Sequence, residues 1–228
     1  MQVRVLDPGA FAHARVRLEP GESFVSEAGA MFRMDPVLDL DVTVRTGGRG
    51  GVWTGLGRML GGDSFFLSTY TATTAPGEVS LAPVLPGELR VLDGTSADAW
   101  TCTGGSFLGC GPEIVLEPRF QGLKGLVSGE RLFFLEARGP GPLIVAAFGA
   151  LRAVELQGEL TVDTGHLVAF ESGISYRIGK AGGSWVQSFL GGERLVLHLE
   201  GRGRLLLQSH APPAFGRALG RLLPPREG

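Results

Sequence analysis

Leu38-Asp39-Leu40-Asp41-Val42-Thr43-Val44-Arg45 alternates apolar and polar residues without a break. A period of two puts Leu38, Leu40, Val42 and Val44 on one face and the polar residues on the other, the pattern of a half-buried β-strand. Shorter apolar runs follow along the chain, at Phe65-Phe66-Leu67, Leu132-Phe133-Phe134-Leu135, Leu143-Ile144-Val145-Ala146 and Leu195-Val196-Leu197. Turns rich in Gly and Pro separate them, such as Thr74-Ala75-Pro76-Gly77 and Gly139-Pro140-Gly141-Pro142, because these residues supply the special backbone angles that reversals need. Helix is scarce. One short helix is expected after Pro212-Pro213, where Phe215, Ala218, Leu219 and Leu222 follow helical spacing with Arg217 and Arg221 on the other face. Pro224-Pro225 would stop it, and at this length it needs something to dock on.

The chain also repeats itself. Gly62-Asp63-Ser64-Phe65-Phe66-Leu67 returns as Gly129-Glu130-Arg131-Leu132-Phe133-Phe134 and as Gly192-Glu193-Arg194-Leu195-Val196-Leu197. Each copy is a glycine, a residue that is Asp or Glu, and an apolar strand, preceded by a Gly-rich apolar stretch. A second element recurs as Gly21-Glu22-Ser23-Phe24-Val25, Gly105-Ser106-Phe107-Leu108 and Gly165-His166-Leu167-Val168. The expectation is an all-β chain: one compact domain of three tandem β units, of β-sandwich or short double-stranded β-helix type. The units would run over about 1–86, 87–147 and 148–210, with a helical tail at 211–228.

Composition narrows the function. With 228 residues, 43% of them hydrophobic, the chain can close a substantial core. A net charge of −2 gives no global field toward nucleic acid or anionic lipid. The two cysteines, Cys102 and Cys110, form no metal or redox spacing, which fits a reducing compartment. The amino terminus alternates like a strand from Gln2 onward and no apolar run approaches the length of a bilayer span. A cytoplasmic protein is expected, peripheral to a membrane if it meets one.

Several segments taken in order carry a resemblance. They are Ser26-Glu27-Ala28-Gly29-Ala30-Met31, Leu56-Gly57-Arg58-Met59-Leu60-Gly61-Gly62-Asp63-Ser64-Phe65-Phe66, Gly104-Gly105-Ser106-Phe107-Leu108, Gly122-Leu123-Lys124-Gly125-Leu126 and Val162-Asp163-Thr164-Gly165-His166-Leu167-Val168-Ala169-Phe170. Together they resemble the bacterial branch of the altered-inheritance-of-mitochondria twenty-four family, over most of the chain from about Glu22 to His210. Ala28 stands where that family usually has Ser, and Asp63 where it usually has Glu. The resemblance implies a β-sandwich related to the tryptophan RNA-binding attenuation protein, a short variant of the double-stranded β-helix, and a homo-oligomer, with a trimer favoured. Its mitochondrial members are associated with organisation of the inner membrane. It carries no reaction, cofactor or catalytic residue onto this sequence.

Candidate chemistry is thin. His13, His166, His198 and His210 make no His-x-His or two-His-one-carboxylate spacing, so no metal site or cofactor is assigned. There is no Gly-x-Ser-x-Gly motif, and Cys102 and Cys110 read as small packing residues. Thr46-Gly47-Gly48-Arg49-Gly50-Gly51 lacks the lysine of a phosphate loop and reads as a hairpin connection. Asp63, Glu130 and Glu193 fall at equivalent places in the three copies and would form an acid cluster if the units converge; the plainer reading is an acid facing water at a strand start. Arg202, Arg204, Arg217, Arg221 and Arg226 make the carboxy-terminal region locally basic, but nucleic-acid binding wants stacking aromatics as well, and RNA is the least favoured partner.

The remaining candidates are apolar. Trp53, Leu56, Met59 and Leu60 with Arg58, and Trp185 with Phe189, form Gly-interrupted segments suited to a bilayer surface or a protein partner; the plainer reading plugs the ends of the sandwich with them. The expectation is a non-enzymatic oligomeric scaffold or organiser. Its competitor is a small-molecule- or metal-binding protein of double-stranded β-helix type.

Overall fold

The structure is a computed structural model that describes residues 1–43, 66–94, 99–120, 133–180 and 195–224. Among these residues, apart from one 3-10 turn and one helix, the regular elements are strands, and all their ladders are antiparallel. The all-β expectation holds, as does the short carboxy-terminal helix.

After an initial strand β1 (Gln2–Leu6) come β2 (His13–Leu18), β3 (Ser23–Glu27), β4 (Met31–Met34), β5 (Leu38–Thr43), β6 (Leu67–Ala72) and β7 (Gly77–Leu81). In this first set β2 and β4 flank β7, while β3 and β5 flank β6. Next come β8 (Leu89–Gly94), β9 (Trp100–Thr103), β10 (Phe107–Cys110), β11 (Val115–Phe120), β12 (Phe133–Arg138) and β13 (Gly141–Ala146). Here β8 and β10 flank β13, and β9 and β11 flank β12. The pairing is the same as in the first set.

It recurs in the last strands with two fusions. β14 (Leu151–Asp163) and β17 (Leu195–Gln208) are long enough to do the work of two strands each, and β15 (Leu167–Glu171) and β16 (Ile174–Lys180) line the other side of β17. Gly158 and Gly201 sit directly opposite one another at the boundary between the halves, with φ of +115° and +137°, a region where a side chain is strained. Even a bulge is repeated: the ladder skips one residue at Phe32, at Leu108 and at Val168.

Two junctions weld the sets together. β3 pairs with β10, in the register Ser26↔Gly109 and Val25↔Cys110. β9 pairs with β15 in the equivalent register, Cys102↔Ala169 and Thr101↔Phe170. The result is a six-stranded sheet ordered β5-β6-β3-β10-β13-β8, a larger sheet containing β11-β12-β9-β15-β17-β14, and a smaller one ordered β1-β2-β7-β4.

Because strand side chains alternate between faces, the shared sheets serve a core on each side. Phe24, Leu108 and Ile144 join one cluster with Val16, Leu38, Tyr70 and Leu81, while their neighbours Val25, Phe107 and Val145 join a second with Trp100, Cys102 and Leu135. A third cluster gathers Phe134, Phe170, Leu197 and Leu205. Burying both faces demands small residues where strands cross closely. A Cβ on Gly109 would lie 2.6 Å from Phe24 Cε1 and 2.8 Å from the Val25 carbonyl oxygen.

The helix α1 (Pro212–Gly220) ends before the Pro pair. It docks as its length requires: Phe215 packs edge-on against Phe148, with ring centroids 5.1 Å apart, and Phe148 also meets His210.

Isolated parallel bridges link Phe11 to Gly87 and Gly87 to Gly149, the residues just ahead of the first strand in each set. A Cβ on Gly87 would overlap the Ala147 carbonyl oxygen, a backbone atom that cannot swing away. Gly87→Ala is therefore expected to cost about 2–4 kcal/mol, the range of forced overpacking and backbone shifts. Gly105→Ala, with nothing within 4 Å of its added methyl, stays within about 0.5 kcal/mol. Urea denaturation of both variants checks the contrast.

Candidate functional site

The apolar candidates Trp53, Leu56, Arg58, Met59, Leu60, Trp185 and Phe189, and the acids Asp63, Glu130 and Glu193, all lie outside the described residues. The strands that flank them are described. On either side of these segments the described strands end at paired rungs, Thr43↔Leu67, Phe120↔Phe133 and Lys180↔Leu195. All three rungs end the same strand pair of the repeated pattern.

One of these ribbons departs from the expected burial. Leu38 is buried, but Leu40 and Val42, expected on the same core-facing side, are 42% and 56% exposed. β5 is the outermost strand of the six-stranded sheet, and toward its far end the described residues leave that face partly open. Directly opposite partners share a face, which sets Leu40 beside buried Tyr70 and Val42 beside buried Ser68. Phe66, two residues before Ser68 and 43% exposed, extends that face. An apolar strip thus runs from the core along β5 to the end of the described strand.

The polar groups are mostly committed within the fold. His166 Nδ1 bonds the Gln208 carbonyl oxygen at 2.8 Å, and Gln208 is further tied to the Phe148 and Gly165 backbone. His198 meets Thr161, His210 meets Ser209, and His13 faces Asp7. Among the described residues no three His, Cys, Asp or Glu side chains gather as a metal would require. Arg204, one of the basic residues considered for RNA, has both Nε and a terminal nitrogen 2.7 Å from Glu171 Oε1. Its guanidinium also lies 5.3 Å from the Trp100 ring centre, so its charge is engaged in an ion pair in which two nitrogens share one carboxylate oxygen and in a cation–π contact.

Cys102 and Cys110 are unbridged and buried. Burial pushes the Cys102 thiol up to about 12 and raises Cys110 further, with Cys102 adding to the effect. Both stay protonated at neutral pH, and a protonated thiol is a poor nucleophile.

The turns joining β3 to β4, β9 to β10 and β14 to β15 are equivalent and correct one alignment made on sequence. The counterpart of Gly105 and Gly165 is Gly29, two residues before Met31, and not Gly21. Each turn starts on a polar residue: Glu27, Thr103 and Asp163. Thr103 Oγ1 bonds the Leu167 carbonyl at 3.2 Å and Asp163 accepts from the Gly165 amide at 2.8 Å, while Glu27 is half-buried. Ser26 beside it bonds the Glu27 carbonyl and the Tyr70 hydroxyl, at 2.9 and 3.2 Å.

Burial raises the Glu27 carboxyl to about 7 from 4.5. A group whose folded pKa is raised binds more protons folded than unfolded, so its contribution is fully present below about pH 4.5 and is lost as pH climbs through 7. Glu27→Gln is expected to melt higher than the parent at pH 8, by about 1 kcal/mol after discounting for partial exposure. It should also flatten the stability profile between pH 4.5 and 7. Thermal melts across that window check it.

Comparison with known proteins agrees with this architecture. The chain is 28% identical over 220 residues to an uncharacterised protein of Streptococcus pyogenes serotype M6, covering 94% of this chain and 88% of that protein. The crystal structure of a Streptococcus pyogenes protein, solved by a structural genomics consortium, superposes with a TM-score of 0.81 at 26% identity, over 97% of this chain and 99% of that one. The sequence profile of the family described as "Mitochondrial biogenesis AIM24" matches residues 3–210, and the chain belongs to that family.

Proposed function

We propose that the protein is a non-enzymatic, oligomeric scaffold or organiser that meets a membrane surface through the ends of its β-ribbons. The observation that carries this reading is the strip of Leu40, Val42 and Phe66, apolar and exposed on one face, on the two strands that in sequence flank the segment with Trp53, Leu56, Met59 and Leu60. Exposed apolar groups in a row mark contact surfaces far more often than isolated ones do. No described helix is long and apolar enough to cross a bilayer, so the contact proposed is peripheral.

Charge decides the character of that contact. At a net −2 the protein gains little from anionic headgroups, whose attraction acts on clustered Lys and Arg. Binding would rest on apolar insertion, with an aromatic at the interface. It should hold on zwitterionic vesicles and change little with salt.

Co-sedimentation with phosphatidylcholine vesicles tests this. The parent protein is expected to pellet with lipid at both low and high salt. The double variant Leu40→Ser, Val42→Ser loses about tenfold in partitioning, since each side chain is already about half covered and inserting the rest contributes about 0.7 kcal/mol, half of the value for full burial. Equal pelleting with and without lipid would sink the membrane reading.

A further inference from the structure

The ribbon contact gains little from an overall charge of −2, but that charge is unevenly spread. From Gly201 to Arg226 the chain carries Arg202, Arg204, Arg217, Arg221 and Arg226 and no Asp or Glu. The acids lie elsewhere, and this stretch is a positive island. Arg204 is held by Glu171. Arg217 and Arg221 are exposed, and among the described residues no carboxylate pairs with either.

The helix α1 that bears them is lightly held. None of its residues is buried, and it meets the body through Phe215 on Phe148. Nine residues that include Gly216 and Gly220 make a poor helix on their own. The Leu222 amide bonds the Leu219 carbonyl at 2.8 Å, so the chain keeps turning past Gly220. At about 3.6 residues per turn, Phe215, Leu219 and Leu222 line one side, with Arg217 and Arg221 on the other. The apolar side runs on beyond its dock: Leu219 is 43% exposed, Leu222 81% and Leu223 66%.

We propose that α1 is an interfacial helix for anionic lipid, its leucines entering the acyl boundary of a bilayer while Arg217 and Arg221 reach the phosphate-bearing headgroups. This deepens the membrane contact given above by naming a headgroup class, and rests on that reading for a bilayer as the partner. The two sides of the helix need different surroundings at once. Leucine gains by leaving water, and arginine gains among anions while its long stem lies along apolar surface. A bilayer containing anionic lipid offers both within the width of one helix. An acidic protein or an RNA would satisfy the arginines and leave the leucines in water. RNA would also want a stacking ring, and Phe215, the aromatic of this helix, is already packed edge-on against Phe148.

Co-sedimentation of the full-length protein with two kinds of vesicle tests this, one of phosphatidylcholine alone and one with about a quarter phosphatidylglycerol. The parent is expected to partition about tenfold better into the anionic vesicles, and high salt should remove that gain. Arg217→Gln with Arg221→Gln, and separately Leu219→Ser with Leu222→Ser, should each cut anionic binding about tenfold. All four side chains are exposed, so thermal melts should not change, and the arginine pair should leave binding to phosphatidylcholine as it was. Equal binding to the two compositions overturns the helix contact and leaves the ribbon contact to stand on phosphatidylcholine alone. An anionic gain without any phosphatidylcholine binding supports the helix and sinks the ribbon contact. A gain that survives the leucine pair, or polyuridylate binding that is lost with the same arginines, overturns the proposal by pointing to a purely charged partner.

Discussion

Where β3 meets β10, and again where β9 meets β15, a single sheet has to satisfy two cores at once. Alternation makes that possible, since neighbouring residues on a strand point to opposite faces: Phe24 serves one cluster and Val25 the next. The cost falls on side-chain volume. A sheet packed on both faces has no solvent side to absorb a misfit, and interiors at crystal-like density tolerate little extra volume. Gly109 and Ala169 at the crossing points, and the lone methyl-sized thiols of Cys102 and Cys110, answer that demand. The same closeness dries the interior, which is why both thiols stay protonated and why the Glu27 carboxyl is pushed toward neutrality.

The polar groups are used for fastening more than for chemistry. Ser106 Oγ donates to the Val168 carbonyl at 2.7 Å, across the second junction. Gln208 bridges Phe148 and Gly165, and Glu88 accepts from the Leu151 amide at 2.8 Å across the boundary between the second and third sets. Ser106 and Glu88 tie one set to another and Gln208 fastens the third set, each through a buried or half-buried hydrogen bond worth about 1 kcal/mol when made and more when broken. The surface ion pairs, such as Arg119 with Glu117 and Glu136, add little by comparison.

Much of this was readable from residue order. The period-two runs and Gly-Pro turns gave strands at the right places, while the short helix includes the Pro212-Pro213 pair in its first turn and ends at Gly220, before the expected Leu222. Register was harder. Gly21 and Gly29 both precede apolar runs, and only hydrogen bonding shows that Gly29 heads the counterpart of β10 and β15. Fusion of strands in β14 and β17 was also hidden, because Gly158 and Gly201 look like turn residues when their pairing is unknown. Burial of Leu40 and Val42 was misjudged for a related reason: alternation marks a face, but strand order decides whether anything covers it. Glu27 carried no signal of its own, since a glutamate beside a turn reads as solvated until neighbours enclose it.

Among the described residues the junctions join consecutive sets, in one direction along the polypeptide. During synthesis from the amino terminus, β3 is therefore finished and waiting when β10 emerges, and β9 is waiting when β15 emerges. Each new portion meets a ready template, and every pairing partner sits within the adjacent third of the molecule. Growth on the ribosome can then proceed by accretion, with one unsatisfied rim travelling ahead of the nascent chain and little opportunity for distant strands to be mismatched.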